Sequence, residues 1–124
     1  MLDLLFGFKG RINRQKWWLV GKGVPIVFFM LFGMAFYASG ALAPENAGAG
    51  LGVLIIALAA VLSLAMLWIS VAVSIKRYHD LNKSGWWIFI TLVPVIGQPW
   101  YFVENGFFPG TPGPNNYGAD PLGR

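Results

Sequence analysis

The stretch SIKRYHDLNKSGWW, residues 74–87, places Lys76, Arg77, His79, Asp80 and Lys83 within eight positions. Long uncharged runs flank it. Upstream, the chain is uncharged from Ala47 to Ile75, and its helical part is expected from about Leu51, after AGAGLG. Downstream, it is uncharged from Trp86 to Val103. A third uncharged run extends from Val24 to Ala43. A helix needs about 20 residues to cross the hydrocarbon of a bilayer. The run from Val24 to Ala43 meets that length, the one from Ala47 exceeds it, and the one from Trp86 barely reaches it. The charged island at 74–87 therefore reads as a loop beside a membrane, between two spans.

Composition agrees. The chain has 124 residues, 56% apolar and 11% charged, with a mean hydropathy of +0.61. Soluble domains carry about a quarter charged residues, and a small one has too much surface to hide this much apolar material. Without cysteine there is no disulfide framework, thiolate nucleophile or cysteine metal site. The basic residues flank apolar runs instead of lining a soluble face, so nucleic acid is not expected as a partner. The apolar run at 24–43 is too long for the core of a signal peptide, and MLDLLFGFKG before it is not signal-like, so the first span reads as a retained helix.

These runs predict an all-α, polytopic membrane protein of one domain, residues 1–124. Three transmembrane helices are expected at about 24–43, 51–75 and 86–103, with a Gly/Pro-rich tail at 104–124. A β-barrel would need many alternating strands, and no alternation is present. The third span is the weakest, because it contains Pro94, Gly97, Gln98 and Pro99. One full crossing is favoured. The alternative is a break at Pro94–Pro99 that returns the tail to the side it left, with its irregular backbone shielded by protein.

Lysine and arginine set the orientation. Lys9, Arg11, Arg14, Lys16 and Lys22 precede the first span, the linker after it carries none, and Lys76, Arg77 and Lys83 follow the second. The N-terminus and the 74–87 loop are thus expected in the cytoplasm. Trp17 and Trp18 before the first span, and Trp86 and Trp87 opening the third, are expected as interfacial anchors, with an apolar body in lipid and an N–H toward water.

Three polar motifs carry a family resemblance: FKGRINRQKWW at 8–18, KRYHDLNKSGWW at 76–87 and PGTPGPNNYGADP at 109–121. Together, in this order, they resemble the domain of unknown function 805 family of small bacterial inner-membrane proteins. The resemblance covers nearly the whole chain. It carries over to Gly10, Arg11, Arg14 and Trp17, then to Arg77, His79, Asp80, Ser84, Gly85 and Trp86. In the tail it carries over to Gly110, Gly113, Asn115, Tyr117, Gly118, Asp120 and Pro121. Asn116 stands where the family often has arginine, Lys16 where it often has an acid, and Lys76 where it often has a second arginine. The resemblance implies a fold and an inner-membrane location, but no activity.

Arg11, Arg14, Arg77, His79, Asp80, Asn115, Tyr117 and Asp120 form the candidate polar cap, or a lipid phosphate-binding site. Asp80 adds nothing to a positive-inside signal, so it is expected to pair with a cation. Arg77 can reach it at three positions and Lys76 at four along a helix, and Arg11 or Arg14 can reach it from the N-terminal segment. Guanidinium groups bind phosphate with two parallel hydrogen bonds. If the tail lies outside, Asp120 cannot join them. Ser63, Ser70 and Ser74 share a helix face and read as a packing stripe more readily than a polar path. One histidine beside one aspartate makes no metal site, and no catalytic residue or cofactor is expected. The leading function is non-enzymatic binding of membrane lipids, of a membrane protein partner, or of another copy in a homo-oligomer. A small oligomeric transporter or channel is the alternative, and a lipid-directed membrane enzyme comes third.

Overall fold

The computed structural model describes residues 2–39, 45 and 50–123. All regular structure among them is helical, apart from one isolated bridge between Asn115 and Gly118. Helix α1 is Leu2–Phe6, α2 is Arg14–Ala38, α3 is Gly50–Asp80 and α4 is Gly97–Phe107. A 3-10 helix, Gly85–Leu92, lies between α3 and α4. Two helices, α2 and α3, are long and apolar enough to cross a membrane. The expected end of the first span at 40–43 and most of the linker at 44–49 lie outside the described residues, as does Arg124.

Helix α2 starts at Asn13, whose Oδ1 accepts the Lys16 N–H at 2.9 Å. Its second and third turns, Trp17–Gly23, are π-helical. Pro25 explains part of this. It has no N–H to give the Gly21 carbonyl one turn back, and its ring crowds that carbonyl. The Gly21 oxygen accepts from Ser70 Oγ of α3 at 3.3 Å. In a bilayer, where water cannot help, a neighbouring hydroxyl is the usual remedy.

Helix α3 runs for 31 residues, about 46 Å at 1.5 Å per residue. It ends in a Schellman motif. Lys83 N–H donates to Tyr78 C=O at 2.9 Å and Asn82 N–H to His79 C=O at 3.0 Å, with Asn82 left-handed at φ 59°. Gly21 lets α2 approach closely: a Cβ there would lie 3.2 Å from Val73 Cγ1.

The third apolar run does not form the continuous helix expected over 86–103. The 3-10 helix stops at Leu92, the chain turns, and α4 begins at Gly97. The turn carries a γ-turn of the strained, positive-φ kind: Ile96 N–H donates to Pro94 C=O at 2.8 Å, and Val95 has φ 70°. A Cβ at Gly97 would fall 2.1 Å from the Ile90 carbonyl oxygen. Only glycine lets the two arms pass so closely. The 3-10 arm rises about 16 Å and α4 about 16 Å, so the hairpin closes on itself with arms of equal length.

The buried cluster of Ile12, Trp17, Ile69, Val73, Tyr78 and Tyr101 sits toward the charged end of α3. Farther from that end, Ile26, Met30 and Met34 of α2 and Leu54, Leu58 and Leu64 of α3 are exposed. That distribution suits helices whose solvent is lipid, where apolar side chains gain little by leaving it for a core.

Candidate functional site

Asp80 ends α3 and is the hub of the site. Arg11 donates to its Oδ1 from Nε at 3.1 Å and from Nη2 at 2.9 Å, and Arg77 Nη1 donates to Oδ2. The three side chains are 1%, 0% and 3% exposed for Arg11, Arg77 and Asp80. Arg77 reaches Asp80 from one turn back on the same helix, as the spacing predicts. Arg11 comes from the loop before α2, and its neighbour Ile12 is tied to α3 through Lys76 C=O.

The tail closes over this centre. Arg11 Nη1 donates to Gly113 C=O at 2.7 Å and Gly118 C=O at 3.2 Å, and Nη2 also donates to Thr111 C=O. All five N–H groups of Arg11 therefore have acceptors within the protein. Thr111 N–H donates to the backbone carbonyl of Asp80 at 2.7 Å. Gly110 must be glycine, because a Cβ there would lie 2.0 Å from Asp80 Oδ2. Asp120 Oδ2 accepts from Gly113 N–H at 3.1 Å and shapes the turn that offers carbonyls to Arg11.

His79 lies on another face of α3. Its Nδ1 is 3.0 Å from Gly10 C=O, and its ring stacks on Tyr117, centroids 4.1 Å apart and planes 2° from parallel. Asn115 Nδ2 donates to His79 C=O at 2.8 Å, and Asn115 Oδ1 accepts the Tyr117 N–H at 2.9 Å. So Arg11, Arg77, His79, Asp80, Asn115, Tyr117 and Asp120 all meet at one end of the molecule.

Arg14 contributes differently. Its Nη1 donates to Phe107 C=O at 2.8 Å. Trp18 Nε1 donates to Gly106 C=O at 3.0 Å, Arg77 Nε to Asn105 C=O at 2.7 Å and Arg77 Nη2 to Phe108 C=O. Four successive carbonyls at the end of α4 thus each take a side-chain donor, three of those bonds from arginine. Helix C-termini leave such carbonyls orphaned and carry partial negative charge.

The four tryptophans part company. Trp18, Trp86 and Trp87 keep exposed surface, but Trp17 is 0% exposed. It is no interfacial anchor. Its Nε1 donates to Ser74 Oγ at 3.3 Å, and its ring meets Trp18 and Tyr101 edge-on. Trp17 and Gly21, four positions apart, share the inward face of this stretch. Lys76 does not pair with Asp80 either; its Nζ donates to the carbonyls of Asp3 and Leu4 in α1.

Sequence reasoning passed over several residues. Glu104, expected to begin the tail, is buried in α4, where it pairs with Lys83 and accepts from Trp100 Nε1 at 2.7 Å. Its position four residues after Trp100 was the available signal. Asn105 is fully buried and donates from Nδ2 to Tyr101 C=O at 2.9 Å. Asn105 Oδ1 and Tyr78 Oη are both buried without a partner of good geometry, although Asn105 adjoins the Tyr78 hydroxyl closely enough to influence it. Lys22, counted only as a topological charge, points inward and donates to Tyr101 Oη at 2.9 Å. The serines at 70 and 74 face neighbouring elements, Ser70 bonding Gly21 and Ser74 bonding Trp17 and Tyr101. Among the described residues, no group of three or more His, Cys, Asp or Glu could hold a metal ion.

Fold and site together define a small helical protein of membrane type, with a buried Arg–Asp–Arg knot that ties a glycine-rich tail to two helix ends. The chain belongs to the family described as protein of unknown function, DUF805, which it matches over residues 5–119. It is 35% identical over 115 residues to inner membrane protein YhaH of Escherichia coli strain K12, covering 93% of this chain and 87% of the relative. Inner membrane protein YhaI of the same strain is 31% identical over 124 residues, covering 93% and 86%. The uncharacterized protein YiiR, also of that strain, is 29% identical over 144 residues, covering 94% and 86%. No solved structure matches the chain.

Proposed function

We propose that the chain is a non-enzymatic protein of the bacterial inner membrane that binds anionic lipid at the cytoplasmic leaflet through the rim of its polar cap. In this reading α2 and α3 span the bilayer. The hairpin of residues 85–107 enters from the cytoplasmic side and returns to it, and the N-terminus and the tail are both cytoplasmic. This replaces a third full crossing.

The observation that carries the reading is the contact of Arg11 with both Asp80 and the tail carbonyls of Thr111, Gly113 and Gly118. A tail on the far side of the membrane cannot make it. The arm lengths agree, since about 16 Å reaches only halfway through some 30 Å of hydrocarbon. The tip at Val95, 91% exposed, and Ile96 is apolar, as a lipid-embedded turn requires.

Arg11 has given all five donors to the protein and the Arg77 side chain is 0% exposed, which leaves lipid binding to the rim. Lys9, Arg14 and Lys16 are exposed there. Each basic residue near an anionic leaflet contributes about 1 kcal/mol. His79 lies stacked beneath Tyr117 and hydrogen-bonded to the chain, which favours a structural role over proton transfer.

The chain lacks cysteine, so one cysteine introduced at Ala119 tests the topology. A membrane-impermeant thiol reagent is expected to label it in inverted vesicles and not in intact spheroplasts; labelling in spheroplasts sinks the proposal. For the lipid arm, Lys9→Gln/Arg14→Gln/Lys16→Gln is expected to retain less phosphatidylglycerol on purification. Unchanged retention removes the rim from the account.

A further inference from the structure

Lys22 stands apart from the cap. It lies in the π-helical stretch of α2, a geometry frequent at functional sites. Its Nζ is 5.0, 4.7 and 5.0 Å from the ring centroids of Trp17, Tyr101 and Phe102. The ion pairs among the described residues are Arg11–Asp80, Arg77–Asp80 and Lys83–Glu104, and Lys22 takes part in none. The Tyr101 hydroxyl it holds is 2.6 Å from Ser74 Oγ. Ser74 is six residues before Asp80, about 9 Å below the cap along α3. With the topology proposed above, on which this inference rests, that level lies within the hydrocarbon. Aromatic faces stabilise a desolvated ammonium in part. A positive charge at that depth still favours an anionic partner.

A cavity of about 380 Å³ opens beside it, between α2, α3 and the hairpin. Its wall combines Lys22, Thr91, Gln98 and Tyr101 with the apolar Phe89 and Leu92. Gln98 gives one N–H to the Thr91 carbonyl at 3.3 Å, which leaves its second N–H for a ligand. The volume falls within the range of ligand sites. Mixed chemistry of this kind suits a molecule with one charged end and a long apolar body.

We propose that this cavity binds a single membrane amphiphile through an oxyanion headgroup, carboxylate or phosphate, paired to Lys22, with the acyl chain against Phe89 and Leu92. It is separate from the rim of the cap in both depth and chemistry.

Native mass spectrometry of the full chain, titrated in mild detergent with oleate, phosphatidylglycerol or phosphatidylcholine, tests this. Beyond any phosphatidylglycerol held at the rim, one adduct per chain is expected with oleate, with phosphatidylglycerol or with both, and not with phosphatidylcholine. An adduct with oleate alone assigns a free fatty acid, and one with phosphatidylglycerol alone assigns a phospholipid. Lys22→Met is expected to weaken the adduct roughly tenfold or more, the scale of a hydrogen bond to a charge, while Lys22→Arg retains it. Leu92→Trp fills the cavity from an exposed position and leaves Lys22 in place, so it separates lost binding from lost folding; it is expected to abolish the adduct. The rim variant Lys9→Gln/Arg14→Gln/Lys16→Gln is expected to keep it. No adduct with either anion, equal binding of phosphatidylcholine, an undiminished adduct in both Lys22→Met and Leu92→Trp, or loss in the rim variant overturns the proposal. The topology is read apart from it, by thiol labelling of a cysteine at Val95, which is expected to stay unlabelled from either aqueous side.

Discussion

Arg11 holds Asp80 by a single carboxylate oxygen, Oδ1, with Nε at 3.1 Å and Nη2 at 2.9 Å, between residues far apart in the sequence. The other oxygen is thereby left to Arg77. One carboxylate balances two guanidinium groups that would otherwise repel each other, and carbonyls of the tail and of the α4 terminus take further donors from both. The centre is thus a fold device before it is a binding surface. Removing one partner of a buried ion pair is more damaging than never having had the pair, since it strands the other charge.

Asp80→Asn is therefore expected to cost about 3–5 kcal/mol and to release the tail. Limited proteolysis in detergent should cleave within residues 111–123 of the variant while the wild-type tail resists. A tail equally resistant in Asp80→Asn would mean that Thr111 and Gly110 hold it without the charges.

Gly110 tests the same closure through sterics alone. A methyl group there would overlap the Asp80 carboxylate, with Cβ 2.0 Å from Oδ2. Gly110→Ala should lower the thermal midpoint in detergent markedly, by an amount typical of overpacking, about 1–3 kcal/mol. Gly33→Ala is the control. That glycine is inside α2 with open space around its Cβ position, so alanine is expected to stabilise by up to about 1 kcal/mol through helix propensity. Equal midpoints for the two variants would refute the close approach.

Trp17 and Trp86 look alike in the sequence, each opening a Trp-Trp pair beside an apolar run, yet one is fully buried and the other 76% exposed. Trp17→Ala is expected to cost about 3–5 kcal/mol, as large core truncations do. Trp86→Ala should change folding stability by no more than about 0.5 kcal/mol. Chemical denaturation in mixed micelles separates them, and similar losses for both would contradict the buried position of Trp17.

The two long helices could be read directly, because uncharged runs as long as those from Val24 and from Ala47 have no other compact solution in a chain this short. The meeting of Asp80 with a cation was legible too, because an acid among basic anchors has no topological purpose. The hairpin at 85–107 was only partly legible. The uncharged run from Trp86 to Val103 fits a span by length, and composition does not encode depth. Pro94 and Gly97 marked a break, but whether the chain then continues or reverses depends on how closely the arms can pack at Gly97 and Ile90. Trp17 escaped because a Trp-Trp pair before an apolar run reads as an interfacial anchor, and neither its partners Ser74 and Tyr101 nor the π-helical register of Trp17–Gly23 shows in a 3.6-residue periodicity. Glu104 and Lys22 escaped for a shared reason: each was counted as a charge at the edge of a span, while the folded chain turns both inward.

Pro25 and Ser70 offer a test of that register shift. If Ser70 Oγ serves the Gly21 carbonyl because Pro25 cannot, the two positions are coupled although they belong to different helices. Ser70→Ala in the wild-type background removes a donor from the Gly21 carbonyl and is expected to cost about 0.6 kcal/mol, and up to about 1.7 kcal/mol, the range for hydroxyl bonds between membrane helices. Pro25→Ala restores an N–H one turn after Gly21 and lets α2 take ordinary i→i−4 bonding there. In that background Ser70→Ala should cost much less, because the carbonyl keeps a donor. A double-mutant cycle measured by reversible unfolding in mixed micelles gives the difference directly. Additive effects would show that the serine and the proline act independently, and the π-helical turn would then need a cause other than the missing amide.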